Sequence, residues 1–165
     1  MHTERNSLNP LKYLTADPTR IRVSGNSMMP FLEEGDEVEV VAAERKDFSP
    51  GDLIVFDRHG DLIVHRVIKA GKDRFLEMGD NQRNGSWWEW QDHLGKVVSL
   101  VSAGGALIPV GEGASASAGR KTARLQRFRL LRSALERKAR FQGLKKIVGL
   151  PFRFLEFMMT KKCWL

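Results

Sequence analysis

Residues 23–30 read Val-Ser-Gly-Asn-Ser-Met-Met-Pro, and Gly35-Asp36 follow five positions after the proline. A glycine two residues before Ser27 lets the chain turn tightly, because glycine reaches backbone angles closed to other residues, and Pro30 fixes the turn that follows. Ser27 is thereby set in a loop with backbone amides around it, the surroundings that a nucleophilic hydroxyl and an oxyanion site require. The same residues also suit a plainer role, in which the hydroxyl only caps a turn. Local sequence leaves both readings open.

Outward from this loop the pattern is strand and turn. Ile21–Val23, then Val38–Val40 alternating with acids, then Leu53–Phe56 after Pro50-Gly51 read as short strands. Arg58-His59-Gly60-Asp61 reads as a hairpin turn into Leu62–Ile68, and Gly71-Lys72-Asp73 as a turn into Phe75–Met78. Val97–Val101 is a further strand, and Ala106–Val110 a looser one. Many short strands with glycine turns predict a mainly β domain over residues 20–110, a compact barrel or sandwich. Residues 1–19 precede it as an arm, with turn signals at Asn9-Pro10 and Asp17-Pro18.

Four further segments agree in order with the serine loop. Ser24-Gly-Asn-Ser-Met-Met-Pro30 followed by Gly35-Asp36 resembles the serine box of signal peptidase I and of the related SOS-type self-cleaving repressors. Gly51-Asp-Leu-Ile-Val-Phe56 is similar to that superfamily's Gly-Asp strand, and Ile63-Val-His-Arg-Val-Ile68 to its catalytic-base strand. Gly79-Asp80-Asn81 resembles its G-D-N box, and Gly95-Lys-Val-Val98 its closing strand. The resemblance covers residues 20–110 and implies a coiled β fold, a serine peptidase activity and a substrate bound as an extended strand with small side chains near the scissile bond.

The resemblance implies Ser27 as nucleophile and His65 as general base. Most bacterial signal peptidases and the repressors carry lysine at that place; a histidine resembles the Ser/His type of the endoplasmic reticulum and of archaea. Imidazole, with an ordinary pKa of about 6.5, accepts a proton without the deep burial a lysine base needs. His59, in a turn, and His93, in a loop, are the rival bases. Asp80 is the candidate to orient His65 by accepting its second ring N–H, with Asp92 as its rival and an Asx turn as the plainer reading of Asp80. The Ser27 backbone N–H is the expected oxyanion donor; the serine that some relatives carry two residues before the nucleophile is Gly25 here. Asp36 and Asp52 are expected to build turns, and Arg66 to make a structural ion pair. Ser86-Trp87-Trp88-Glu89-Trp90 reads either as hairpin core or as an aromatic rim facing lipid or substrate. No metal or cofactor is expected, since one cysteine, Cys163, and four unspaced histidines offer no ligand set.

The formal net charge of +7 is unevenly spread. Residues 119–165 hold 14 Lys/Arg against 2 acids, a net of +12, which leaves −5 for the rest. Residues 111–119, Gly-Glu-Gly-Ala-Ser-Ala-Ser-Ala-Gly, read as a linker of small residues. Beyond it Leu125, Phe128, Leu131, Leu135 and Ala139 recur at helical spacing among arginines, so residues 120–165 are expected to form a basic amphipathic helical tail, with Gly143 as a stop. Phe152, Phe154, Phe157 and Trp164 suit a membrane interface, and the tail is expected to touch an anionic membrane, nucleic acid being less favoured.

Met1–Asp17 lacks the apolar run of a secretory leader, and Ile147–Met159 is interrupted by Pro151, Arg153 and Glu156. A cytoplasmic protein, or one peripheral to the inner face of the membrane, is therefore expected. The leading functional expectation is a serine endopeptidase that cleaves a leader or signal-peptide-like segment. The alternative is a self-processing or non-catalytic regulator whose tail binds nucleic acid.

Overall fold

A computed structural model describes residues 17–58, 61–101 and 105–141, the side chains of 136–141 excepted. Among these residues are eight strands: β1 (Thr19–Arg22), β2 (Glu37–Val41), β3 (Leu53–Arg58), β4 (Asp61–Ala70), β5 (Arg74–Met78), β6 (Ser86–Glu89), β7 (His93–Val101) and β8 (Leu107–Pro109). One helix, α1 (Gly113–Phe141), follows them. The strands form one curled antiparallel sheet in the order β1-β2-β7-β3-β4-β5-β6, with β8 also on β7. The expected mainly β, coiled barrel-like fold is what the chain adopts.

The apolar run Leu53–Phe56 explains the curl. A strand buried on both faces carries no polar alternation, and all four of these residues are fully buried. Leu53 and Val55 pack with Val38, Val40 and Val97, while Ile54 and Phe56 pack with Val67, Phe75 and Trp90 on the other face. The first cluster also takes Met28 and Leu32, which seat the serine loop on the sheet. β2 shows the opposite pattern: Val38 and Val40 point inward, whereas Glu37 and Glu39 pair with Arg22 and Arg20 of edge strand β1, at 3.0 and 3.2 Å.

The carboxylates of Asp36 and Asp52 accept from the amides of Glu33 and Ser49, each at 2.8 Å, so both build turns as expected. The aromatic stretch divides by strand alternation. Trp88 packs on Phe56 and Trp90 on Phe75, whereas Trp87 is exposed between the cations of Lys69 and Arg74.

The segment read as a linker is helical from Gly113. Its small residues serve close packing rather than freedom: a Cβ on Gly119 would lie 2.7 Å from the Gly51 carbonyl oxygen, and one on Gly51 would lie 2.6 Å from the Arg120 amide nitrogen. Here the helix backbone touches the turn before β3. The predicted apolar stripe is split as well. Leu125 is buried, together with Ala123 and Gln126, and Ala123 packs with Ile68 and Met78, whereas Leu131 and Leu135 stay exposed. The first half of the helix is thus part of the domain, not a detached amphipathic tail. Among the described residues no helix is long and apolar enough to cross a membrane. Most of the arm, His59, the expected stop at Gly143 and the aromatic segment after it lie outside the described residues.

Gly119→Ala tests the backbone contact. Alanine favours a helix over glycine by about 1 kcal/mol, yet the added methyl meets a carbonyl that cannot retreat without moving β3. We expect a net loss of about 1–3 kcal/mol in denaturant unfolding; a stabilised variant would show that the contact does not constrain the fold.

Candidate active site

Successive residues of a strand face opposite sides, and in β4 this sends His65 and Arg66 to different partners. Both are buried, each 2 % exposed. On one face, His65 Nε2 is 3.0 Å from Ser27 Oγ, so the two residues that the sequence pairs across 38 positions do meet. His65 Nδ1 is in close contact with Oε2 of Glu77. With the proton on Nδ1 donated to that carboxylate, Nε2 is left to accept from the serine hydroxyl.

Glu77 comes from β5, where it stands opposite Val67 and hence one diagonal step from His65. It is 2 % exposed, and its second oxygen, Oε1, accepts from Trp88 Nε1 of β6 at 3.3 Å. The sequence reading overlooked it. The signal was an acid in phase with the inward Phe75 on a short alternating strand, where an apolar residue would ordinarily stand.

Asp80, expected to orient His65, is engaged on the other face. Arg66 donates to it through Nε at 2.8 Å and Nη2 at 2.5 Å, a bidentate pair, and Gln126 Nε2 of α1 donates to Asp80 Oδ1 at 3.0 Å. Arg66 also donates to the Gly51 carbonyl at 2.7 Å, as a structural ion-pair residue would. The box acid therefore ties a turn to a helix, and the acid at the imidazole is the one two residues before the box. Asp92 ends the short helical turn Trp90–Asp92, and among the described residues it makes no hydrogen bond or ion pair with His65. His93 turns its ring nitrogens to the carbonyl oxygens of Trp90 and Ala43, the latter at 2.7 Å, away from Ser27.

The G-D-N turn closes on the serine loop. Asn81 N–H donates to the Ser27 carbonyl at 2.8 Å, and the Asn81 side chain donates to the Asn26 carbonyl at 3.2 Å. Gly79 must be glycine here: a Cβ would lie 2.5 Å from the Ser27 carbonyl oxygen and 3.0 Å from His65 Nε2. Ser27 itself is half-buried and follows Gly25, whose φ of 81° only glycine adopts freely. Among the described residues no backbone carbonyl accepts the N–H of Ser27 or of Met28, which leaves these donors open beside the hydroxyl.

A half-buried hydroxyl on a buried imidazole, which is in turn held by a buried carboxylate, is the arrangement of a serine hydrolase relay. A family model described as Peptidase S24-like matches residues 13–84, a span that includes Ser27, His65, Glu77 and the G-D-N turn. Residues 13–84 are similar to that family. That match supports the superfamily of self-cleaving repressors and signal peptidases, and a serine peptidase in general. No curated protein matches the chain. The S24-like span stops before β6, so Trp88 and α1, which hold Glu77 and Asp80, lie beyond it.

Gly79→Ala should separate folding from geometry at the site. The nearest neighbour of the added methyl is the Ser27 carbonyl oxygen, so the variant is expected to lose stability, and its labelling is read on protein shown to be folded by circular dichroism. Its serine should react at least about tenfold more slowly with a fluorophosphonate, because the methyl pushes Ser27 and His65 apart. Unchanged labelling would show that their spacing is set elsewhere.

Proposed function

We propose that the chain is a serine endopeptidase in which Ser27, His65 and Glu77 form the relay, acting on an extended segment of a protein or peptide. The observation that carries this reading is the line from Ser27 Oγ to His65 Nε2, at 3.0 Å, and from His65 Nδ1 to Glu77. Ser27 Oγ attacks the scissile carbonyl carbon as its proton passes to Nε2. The oxyanion is received by the open N–H of Ser27, with that of Met28 beside it. His65 then gives its proton to the departing amine, leaving an acyl ester on Ser27. Water enters, loses a proton to Nε2 and attacks the ester carbon; the bond to Ser27 Oγ then breaks as Nε2 returns that proton to Oγ, and the acid is released. Glu77 holds the ring in the required tautomer and stabilises the imidazolium formed on the way.

The finer reading follows the histidine. A Ser/His pair is similar to that of the endoplasmic reticulum and archaeal signal peptidases, and supports processing of a leader-like segment with small residues at the cleavage point. The alternative, self-processing by a regulator, uses the same relay and differs only in where the cleaved bond lies.

Cleavage of peptide pools by the purified chain, read by mass spectrometry, tests the proposal. Ser27→Ala should abolish cleavage, a loss of at least about 10⁴-fold in kcat, with the fold intact. His65→Ala should do the same, while His93→Ala keeps most of the activity. Glu77→Gln should lower kcat by about 10²–10⁴-fold with little change in KM. Full activity in Ser27→Ala would end the peptidase reading. A dead Asp92→Asn beside an active Glu77→Gln would overturn the choice of acid.

A further inference from the structure

Gln126 is the point at which α1 reaches the G-D-N turn. It is 1 % exposed, and its Nε2 donates to the Gly79 carbonyl at 3.2 Å and to Asp80 Oδ1 at 3.0 Å. Neither acceptor depends on it for satisfaction. The Gln82 N–H also reaches the Gly79 carbonyl, at 3.0 Å, and Arg66 Nε reaches Asp80 Oδ1 at 2.8 Å. Among the described residues the Oε1 of Gln126 accepts from no protein group, so the side chain acts toward the turn as a donor alone. The helix does not need this contact in order to dock. Arg127 Nε donates to the Ile68 carbonyl of β4 at 2.5 Å, Ala123 packs with Ile68 and Met78, and Gly119 lies against Gly51. What the glutamine adds is position: it fixes the turn relative to a helix that is already held.

We propose that Gln126 is a positioning residue for the serine relay, holding Ser27 against His65 through the G-D-N turn; the inference rests on the peptidase reading above and adds α1 to the machinery. The turn is the piece that both reacting groups touch. Gly79 approaches them so closely that a Cβ would lie 2.5 Å from the Ser27 carbonyl oxygen and 3.0 Å from His65 Nε2, while the Asn81 N–H donates to the Ser27 carbonyl at 2.8 Å. The carbonyl that Gln126 holds belongs to the planar peptide joining Gly79 to Asp80, so its direction sets where Gly79 Cα stands against the imidazole. Asp80 gives a second hold, because Arg66, which grips the same carboxylate, is the chain neighbour of His65. β4, the turn and α1 thus form one frame around the hydroxyl and the ring. Reacting atoms work at separations of about 3–3.5 Å, and a misplacement of about 1 Å costs on the order of a hundredfold in rate. The frame reaches past the S24-like span of residues 13–84, since Gln126 lies beyond it.

The test follows covalent labelling of the full-length chain by a fluorophosphonate, with the maximal rate and the half-saturating concentration measured separately on protein shown to be folded by circular dichroism. Gln126→Leu, which keeps most of the volume and removes the donor, is expected to lower the maximal rate about tenfold or more, with the half-saturating concentration within about twofold of the wild type. Gln126→Met removes the same donor from an unbranched side chain and should behave alike, so a failure of either variant to fold leaves the other to decide. Gln126→Glu, nearly isosteric but aiming an acceptor at a carbonyl and a carboxylate, should be slower still. Leu125→Ala cuts a buried contact of the same helix and leaves the donor in place; it should lower the unfolding midpoint in urea yet label at the wild-type rate. Wild-type labelling in Gln126→Leu and Gln126→Met would show a side chain that only fills space, and would overturn the assignment. Equal slowing in Leu125→Ala would overturn it too, because helix packing rather than the amide would then govern the site. Labelling of the wild-type chain, absent in Ser27→Ala, reports on the peptidase reading: a wild-type chain that does not label removes that reading and this assignment with it, whereas equal labelling of the wild type and the Gln126 variants removes the assignment alone.

Discussion

A buried histidine–carboxylate hydrogen bond and a buried ion pair, back to back on one strand, are the constraint on which the rest of the domain depends. His65 meets Glu77 on one face of β4, and its neighbour Arg66 meets Asp80 on the other. Burying charge costs several kcal/mol per ion unless geometry and extra hydrogen bonds compensate, so neither pair is an easy way to gain stability. Both are fully supplied. Glu77 has Trp88 on its second oxygen, and Asp80 has Gln126 beside the Arg66 fork. Because the acids stand on β5 and on the turn that leaves it, positions 77 to 80 must keep their register with β4 for either pair to exist. The bulge between Val67 and Lys69 sets that register.

From this strand pair the serine loop is held from two directions. Met28 and Leu32 bury beneath it in the apolar cluster of β2, β3 and β7, while Asn81 and Gly79 close on it from above. The hydroxyl is thus fixed against the imidazole by packing and by backbone hydrogen bonds, although Ser27 sits on a loop. Preorganisation of this kind keeps a reacting pair at contact distance without spending binding energy at the moment of reaction. It also gives α1 a part in the site, since Gln126 grips the carbonyl of the same glycine that touches His65 Nε2.

The strands, their turns and the Ser27–His65 meeting were legible because each rests on local signals: apolar alternation, glycine turns and ordered boxes. The carboxylate was not. Asp80 sits in the conspicuous box, but its place one residue after Gly79 and the end of β5 points it toward Arg66, and no local pattern reveals that. Glu77 could be seen as an acid in an inward phase, yet its reach to His65 depends on a cross-strand register that a bulge shifts. The linker reading failed for a related reason. Small residues at 113–119 offer little side chain to bury, which looks like freedom in a sequence; in the fold, that lack lets Gly119 press against Gly51. A buried glutamine among arginines carries no sequence signal of its own.

The choice of histidine and the presence of Glu77 are one decision, not two. A lysine base must lose its proton to work, and it does so by burial away from negative charge; a carboxylate in contact would hold the ammonium charged and useless. An imidazole gains from the same carboxylate, which fixes its tautomer and would stabilise the positive charge that the proposed reaction places on the ring. A buried acid at position 77 thus excludes a lysine at position 65 while completing a histidine there. Trp88 belongs to the same logic. Its indole N–H satisfies the oxygen of Glu77 that the imidazole leaves unpaired, and its ring covers Phe56 beside the His65 ring. Without such a donor the carboxylate would be half-satisfied in an apolar setting, at a cost of about 1–3 kcal/mol or more for a charged group. The aromatic run in β6, ambiguous as a sequence, acquires its reason from the acid it shelters.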